Sequence, residues 1–310
     1  MGDFVSLKYC VFGVGGIGMA TAAFLGDIGK DVSVIARGEN LAAIRENGIR
    51  VLGPHGDYTV GVKAFAEEEY RDSPDVIFLC VKAYSLDSAI PFLDRVCRPD
   101  TTVIAVQNAI DCGGTVESMM SVPCKMCSAV INIRAEKAGP GTVRHFSAFF
   151  RLRFAPRDGV RTGTLWKISL DLLDAGVAAE LHTDPVKIAL RKFIRVSCMS
   201  AVCCYYDDSI GVIRRDPEAL ALYRQLCTEI CQIAEARGTP FEDEAFDDAM
   251  TTALQSPPDF RTSIKRDMDA GRPMEVQAQF FDVYEMGRRL GLPMEAYGKV
   301  SRKFGNSGDL

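Results

Sequence analysis

Tyr9-Cys10-Val11-Phe12 is a short apolar run that breaks into Gly13-Val14-Gly15-Gly16-Ile17-Gly18 and resumes as the helix-forming stretch Met19–Leu25. Strand, glycine turn and helix in that order present backbone N–H groups and the positive end of a helix to a pyrophosphate. Gly13 permits the tight turn, Gly15 lets phosphates approach the backbone, and Gly18 lets the helix pack close to the strand. A Gly-x-Gly-x-x-Gly pattern alone is weak. Placed between a strand and a helix it predicts a dinucleotide site along Gly13, Val14, Gly15, Gly16, Ile17 and Gly18.

The next apolar run, Asp31–Ala36, ends at Arg37, where the fingerprint expects the residue that reads the ribose. An acidic residue there would accept from the 2′-hydroxyl of NAD. Arg37 instead offers a planar cation matched to a 2′-phosphate. The expected cofactor is therefore NADP(H).

Further apolar runs, Asp75–Val81 and Thr102–Gln107, read as parallel strands buried on both faces. Alternation with helical stretches such as Leu41–Asn47 argues for an open, doubly wound α/β sheet, whose ligands bind beyond the carboxyl ends of the strands. Lys82 and Asn108 lie just past two of those ends. From about Asp184 the pattern becomes helical, over Val186–Cys204, Pro217–Arg237, Ser263–Ala270 and Glu275–Leu290. The boundary is expected near the turn His182–Pro185, giving domains 1–183 and 184–310, with Asn306–Leu310 a frayed tail.

A length of 310 residues suits two domains, and a composition 47% hydrophobic and 25% charged supplies a sizeable core. The net charge of −5, without a long basic run, favours neither nucleic acid nor an anionic membrane as partner. No segment approaches the ~20 apolar residues of a membrane span. Met1-Gly2-Asp3-Phe4 lacks a signal-peptide pattern. The 11 cysteines are odd in number and scattered, as suits a reducing cytoplasm rather than a disulfide scaffold. Cys124 and Cys127 form a lone Cys-x-x-Cys among only 3 histidines, so no metal site is expected.

These residues, with Ile35-Ala36-Arg37-Gly38, Val81-Lys82-Ala83-Tyr84, Gln107-Asn108, Gly139-Pro140-Gly141, Asp216-Pro217-Glu218-Ala219 and Asp267-x-x-x-Gly271-Arg272-Pro273-x-Glu275, resemble the ketopantoate reductase (2-dehydropantoate 2-reductase) family over nearly the whole chain. The resemblance implies a Rossmann-type N-terminal domain and an all-helical C-terminal domain similar to 6-phosphogluconate dehydrogenase. It implies reduction of a 2-oxo acid by NADPH, with ketopantoate the default substrate on the way to pantothenate. Lys192 fits the family's catalytic lysine and Glu275 its acidic active-site residue. Asn108 would bridge cofactor and substrate, Lys82 would lie beside the cofactor, and Glu275 could also touch the nicotinamide ribose. Ser263 fits a substrate-contacting serine, although a serine at a helix start is ordinary by itself.

The chain departs from the family along the Lys192 helix, with Cys203-Cys204 a smaller departure where members tend to carry Thr-Ala. Asparagines are expected four and eight residues after the lysine; here stand Val196 and Ser200, on the same helical face as Lys192. The departure bears on the substrate more than on the reaction. It leaves open a paralogue acting on another 2-oxo acid, with Ser200 the remaining polar group toward substrate. A non-catalytic NADP(H)-binding sensor is a third reading, against which the retained Lys192 and Glu275 count. The choice between monomer and homodimer stays open, as does the role of Arg195.

Overall fold

The computed structural model describes residues 6–54, 56–146, 149–241 and 244–305; the N-terminal tetrapeptide and the tail Asn306–Leu310 lie outside them. The chain divides into two compact units, Met1–Gln107 with Asp111–Pro185, and Asn108–Ile110 with Val186–Leu310.

The first unit contains strands β1 (Lys8–Phe12), β2 (Asp31–Ile35), β3 (Ile49–Gly53), β4 (Gly56–Val60), β5 (Lys63–Phe65) and β6 (Val76–Leu79). They are followed by β7 (Thr102–Ala105), β8 (Lys125–Asn132), β9 (Ala135–Gly139), β10 (Thr142–His145), β11 (Phe150–Pro156) and β12 (Val177–Leu181). Its helices are α1 (Gly16–Asp27), α2 (Gly38–Asn47), α3 (Leu86–Val96), α4 (Cys112–Met119) and α5 (Gly163–Asp174). An eight-stranded sheet runs β12-β11-β8-β7-β6-β1-β2-β5, parallel throughout except where β11 meets β8. A smaller sheet, β4-β3-β10-β9, is built from the connections. The larger sheet with its helices is Rossmann-like. All residues of β6 and β7 are buried, which is why those strands read as unbroken apolar runs.

The chain leaves β1 toward β2 and β5, then returns across β1 to form β6. The order therefore reverses between β1 and β6, and their carboxyl ends carry the glycine turn and the Cys80–Lys82 segment. Gly13 has φ +103°, and a Cβ there would stand 2.8 Å from the Val81 backbone nitrogen. A Cβ on Gly18 would stand 2.0 Å from the Gly13 carbonyl oxygen, so only glycine lets α1 begin against the turn. Gly15 differs, since a Cβ there meets nothing within 4 Å.

A buried charge network ties β1 to α5. Tyr9 donates its hydroxyl to Asp171 Oδ2 at 2.7 Å, and Lys30 Nζ reaches Asp171 Oδ1 at 2.7 Å. Lys167, one turn back on α5, also donates to Asp171. Burial works against the Asp171 carboxylate, but the hydrogen bonds from Lys167, Lys30 and Tyr9 outweigh it and hold the group below its ordinary value.

The described residues of the second unit form helices and no strands: α6 (Pro185–Tyr206), α7 (Val212–Arg215), α8 (Pro217–Ala236), α9 (Ala245–Gln255), α10 (Ser263–Asp269), α11 (Asp282–Arg289) and α12 (Glu295–Phe304). The run read as a single helix over Glu275–Leu290 enters through a π-helical turn, Gln277–Phe281, that leads into α11. Apolar periodicity does not register the one extra residue that such a turn inserts. Asp216 caps α8 by accepting from the Glu218 backbone N–H at 2.8 Å, with Pro217 at the first helical position. No described helix is long and apolar enough to cross a membrane.

Asp171→Asn should lower stability near neutral pH by about 3 kcal/mol, because it strands Tyr9 and two lysines around a neutral group. Since the folded carboxyl titrates low, its contribution is present above the unfolded value of about 3.9 and disappears as the pH falls through the folded value. Denaturation curves of the two proteins should therefore converge in acid; parallel curves would refute the assignment. Gly13→Ala should also destabilise, by more than about 1 kcal/mol, through the left-handed backbone and the Val81 clash. Gly15→Ser enters open space and gains a helix cap, so its melting midpoint should not fall.

Candidate active site

Lys192 lies two turns into α6 and is only 9% exposed. Its ammonium donates to Asn108 Oδ1 at 2.7 Å, and Asn108 Nδ2 faces Glu275 Oε2 at 3.4 Å. The carboxamide is thus oriented as the charges demand, oxygen toward the cation and N–H toward the carboxylate. Glu275 is 4% exposed, so both charges sit where water screens them weakly and their fields act strongly on a neighbouring polar group.

Local sequence explains how each of the three is placed. Asn108 follows β7 directly and, with Ala109 and Ile110, groups with the helical unit. Its predecessor Gln107 is buried and donates to the Leu79 and Val81 carbonyls at 2.8 and 3.1 Å, fastening the end of β7 to the end of β6. Glu275 is reached through a bend that closes α10: Gly271 takes φ +61°, and Arg272 Nε returns to Asp267 Oδ1 at 2.9 Å. The Asp267…Arg272 spacing is therefore a device that aims the chain toward Glu275.

The other residues singled out from the sequence lie on several elements of the two units. Ser263 opens α10 half-buried, but the cap is its neighbour Thr262, whose hydroxyl accepts from the Lys265 N–H at 3.4 Å; Ser263 bonds none of the central three. Val196 is half-buried one turn beyond Lys192. Ser200, another turn on, is fully buried, and its hydroxyl has no partner among the described residues. Arg37 is exposed at the N-terminus of α2, and Lys82 is half-buried after β6. Cys203 and Cys204, behind Ser200, are free thiols that burial pushes up to about 12, which keeps them protonated and unreactive.

Two features escaped sequence reasoning. Lys265 is 1% exposed and held by Asp207 Oδ1 at 2.8 Å together with Asp269, a clasp joining α10 to the end of α6. Only its spacing of four from Asp269 signals it. The second is Gln279, wholly buried in the π-helical turn, which polar character alone would place at the surface.

Comparison with known proteins agrees with this architecture. The chain matches the family descriptions "Ketopantoate reductase PanE/ApbA" over residues 9–159 and "Ketopantoate reductase PanE/ApbA C terminal" over 185–303. A 2-dehydropantoate 2-reductase from Mesorhizobium japonicum is 26% identical over 308 residues, covering 93% of each chain. Among solved structures, 2-dehydropantoate 2-reductase from Methylococcus capsulatus superimposes with a TM-score of 0.86 at 23% identity over 96% of both chains. D-mandelate dehydrogenase, solved with NADH and anilino(oxo)acetate, superimposes with a TM-score of 0.82 at 16% identity over 96% of both. The two family matches span the sheet unit and the helical unit in turn, and the chain belongs to the ketopantoate reductase family of oxidoreductases.

Proposed function

We propose that this protein reduces a 2-oxo acid to the 2-hydroxy acid with NADPH, ketopantoate being the default substrate. The observation that carries the reading is the buried Lys192–Asn108–Glu275 hydrogen-bond chain. Carbonyl reduction builds negative charge on oxygen, and a buried ammonium stabilises that charge strongly. Lys192 Nζ holds the proton that the developing alkoxide takes up, acting as general acid. Asn108 fixes the ammonium on one side, and Glu275, through the Asn108 amide, keeps that carboxamide turned with its oxygen toward the cation. Ser263 is assigned to the substrate.

The residues of the first unit fit a dinucleotide. The open space at Gly15 admits phosphates to the backbone, and the first turn of α1 has no side-chain cap competing for its N–H groups. Val14, Gly16 and Ile17 carry the rest of that turn. When bound, the nicotinamide supplies the hydride. Arg37, exposed at the end of β2, would pair with a 2′-phosphate, and Lys82 with the same cofactor.

A second reading, a bulkier or less polar 2-oxo acid, is favoured by Val196, an apolar half-buried side chain one turn from the ammonium. The D-mandelate dehydrogenase structure, with its anilino(oxo)acetate, shares the fold.

Consumption of NADPH should be followed with ketopantoate and a panel of aryl and branched 2-oxo acids. Lys192→Met, which keeps length without the charge, should lower kcat/KM by about 10²–10⁴-fold while NADPH binding persists. Arg37→Asp should shift the NADPH-to-NADH preference by at least about tenfold toward NADH. Gly15→Ser should weaken binding of either cofactor without loss of stability. Tight NADPH binding with no turnover across the panel would replace the reductase reading with that of a cofactor sensor.

A further inference from the structure

Among the described residues, three fully buried side chains of the helical unit carry polar atoms with no hydrogen-bond partner: Ser200 Oγ, both amide atoms of Gln279, and Ser301 Oγ. Buried polar groups are nearly always bonded, so a carboxamide with both ends orphaned calls for a partner the chain does not supply.

Their places in the fold are linked. Ser197 on α6 donates to the Gln279 backbone carbonyl at 2.7 Å and lies 2.8 Å from the Tyr297 hydroxyl on α12, so α6, the π-helical turn and α12 meet there. Ser200 is one turn past Ser197, and Ser301 one turn past Tyr297. Lys303 at the end of α12 binds the Tyr205 carbonyl at the end of α6, so the two helices advance in the same direction. Gln279 lies one turn past Glu275, whose carbonyl accepts the Gln279 N–H at 3.2 Å. Ser200 thus lies two turns past Lys192 on α6, and Gln279 one turn past Glu275. Glu275 and Gln279 span the entry into a π-helical turn, a backbone form concentrated at functional sites.

We infer that Gln279 is a specificity-determining residue. Its carboxamide, with the Ser200 hydroxyl, hydrogen-bonds a hydroxyl on the acyl chain of the 2-oxo acid, the recognition that Val196 cannot provide. A carboxamide both donates and accepts, so it suits a hydroxyl group, which does the same. The inference rests on the reductase reading proposed above.

The test compares ketopantoate with trimethylpyruvate, which differs only in lacking the hydroxyl. The native protein should prefer ketopantoate. Gln279→Leu should lower kcat/KM for ketopantoate by about 10²-fold while leaving trimethylpyruvate unchanged or improved, because a site built to bond a hydroxyl loses only that discrimination. Its melting midpoint should hold or rise, since the substitution removes two orphaned atoms. Ser200→Ala, which breaks no bond in the free protein, is the second variant and should lower the same ratio by about tenfold. Equal loss on both substrates, or a lowered midpoint with the ratio intact, would show a structural role and overturn the inference. Native protein that turns over neither substrate while binding NADPH would remove the reductase reading and this inference with it. Turnover of both with a ratio that neither variant moves would remove this inference alone.

Discussion

The near-contact between Gly13 and the Val81 backbone is the constraint on which the first unit depends. At the reversal point of a parallel sheet, two neighbouring strands end side by side and their chains must part in opposite directions. Gly13 does this by taking φ +103° against Val81, and Gly18 then lets α1 start against the Gly13 carbonyl. The geometry leaves the α1 N–H groups facing outward at the carboxyl edge, with Gly15 open to approach. Gln107 fastens the neighbouring strand end from the other side with one buried amide.

In the helical unit the organising element is electrostatic. Asn108 stands between Lys192 and Glu275 and satisfies each with a different end of one amide. That arrangement sets a lysine and a carboxylate, both largely buried, against the two ends of one uncharged side chain.

Much of this was legible in the sequence because the relevant signals are local. The glycine turn, the unbroken apolar strands β6 and β7, and the cap Asp216-Pro217 each follow from neighbouring residues and short-range sterics. The family relation, carried by motifs such as Gly271-Arg272-Pro273, pointed to Lys192, Asn108 and Glu275. Their hydrogen bonds span 84 and 167 positions, which no periodicity reports. Strands β9 and β10 went unread because Ala135–Gly139 has no large apolar residue and is mostly exposed, and Thr142–His145 is only four residues long. Gln279 was invisible for a different reason: polarity argues for a surface, and only a folded core shows a carboxamide enclosed without a partner.

The N-terminus of α12 shows how far apart a helix and its cap can lie. Met294 enters it in the left-handed region at φ 51°, with no side-chain cap of its own. The Ala296 and Tyr297 N–H groups are instead accepted by Glu229 of α8, at 2.7 and 2.9 Å, a carboxyl whose pKa burial pushes up even as those two bonds pull it down. The anchor precedes the helix by 67 residues. The start of this helix is therefore fixed by a residue of α8 rather than by its own sequence, so a change at Glu229 would be felt at the far end of the unit.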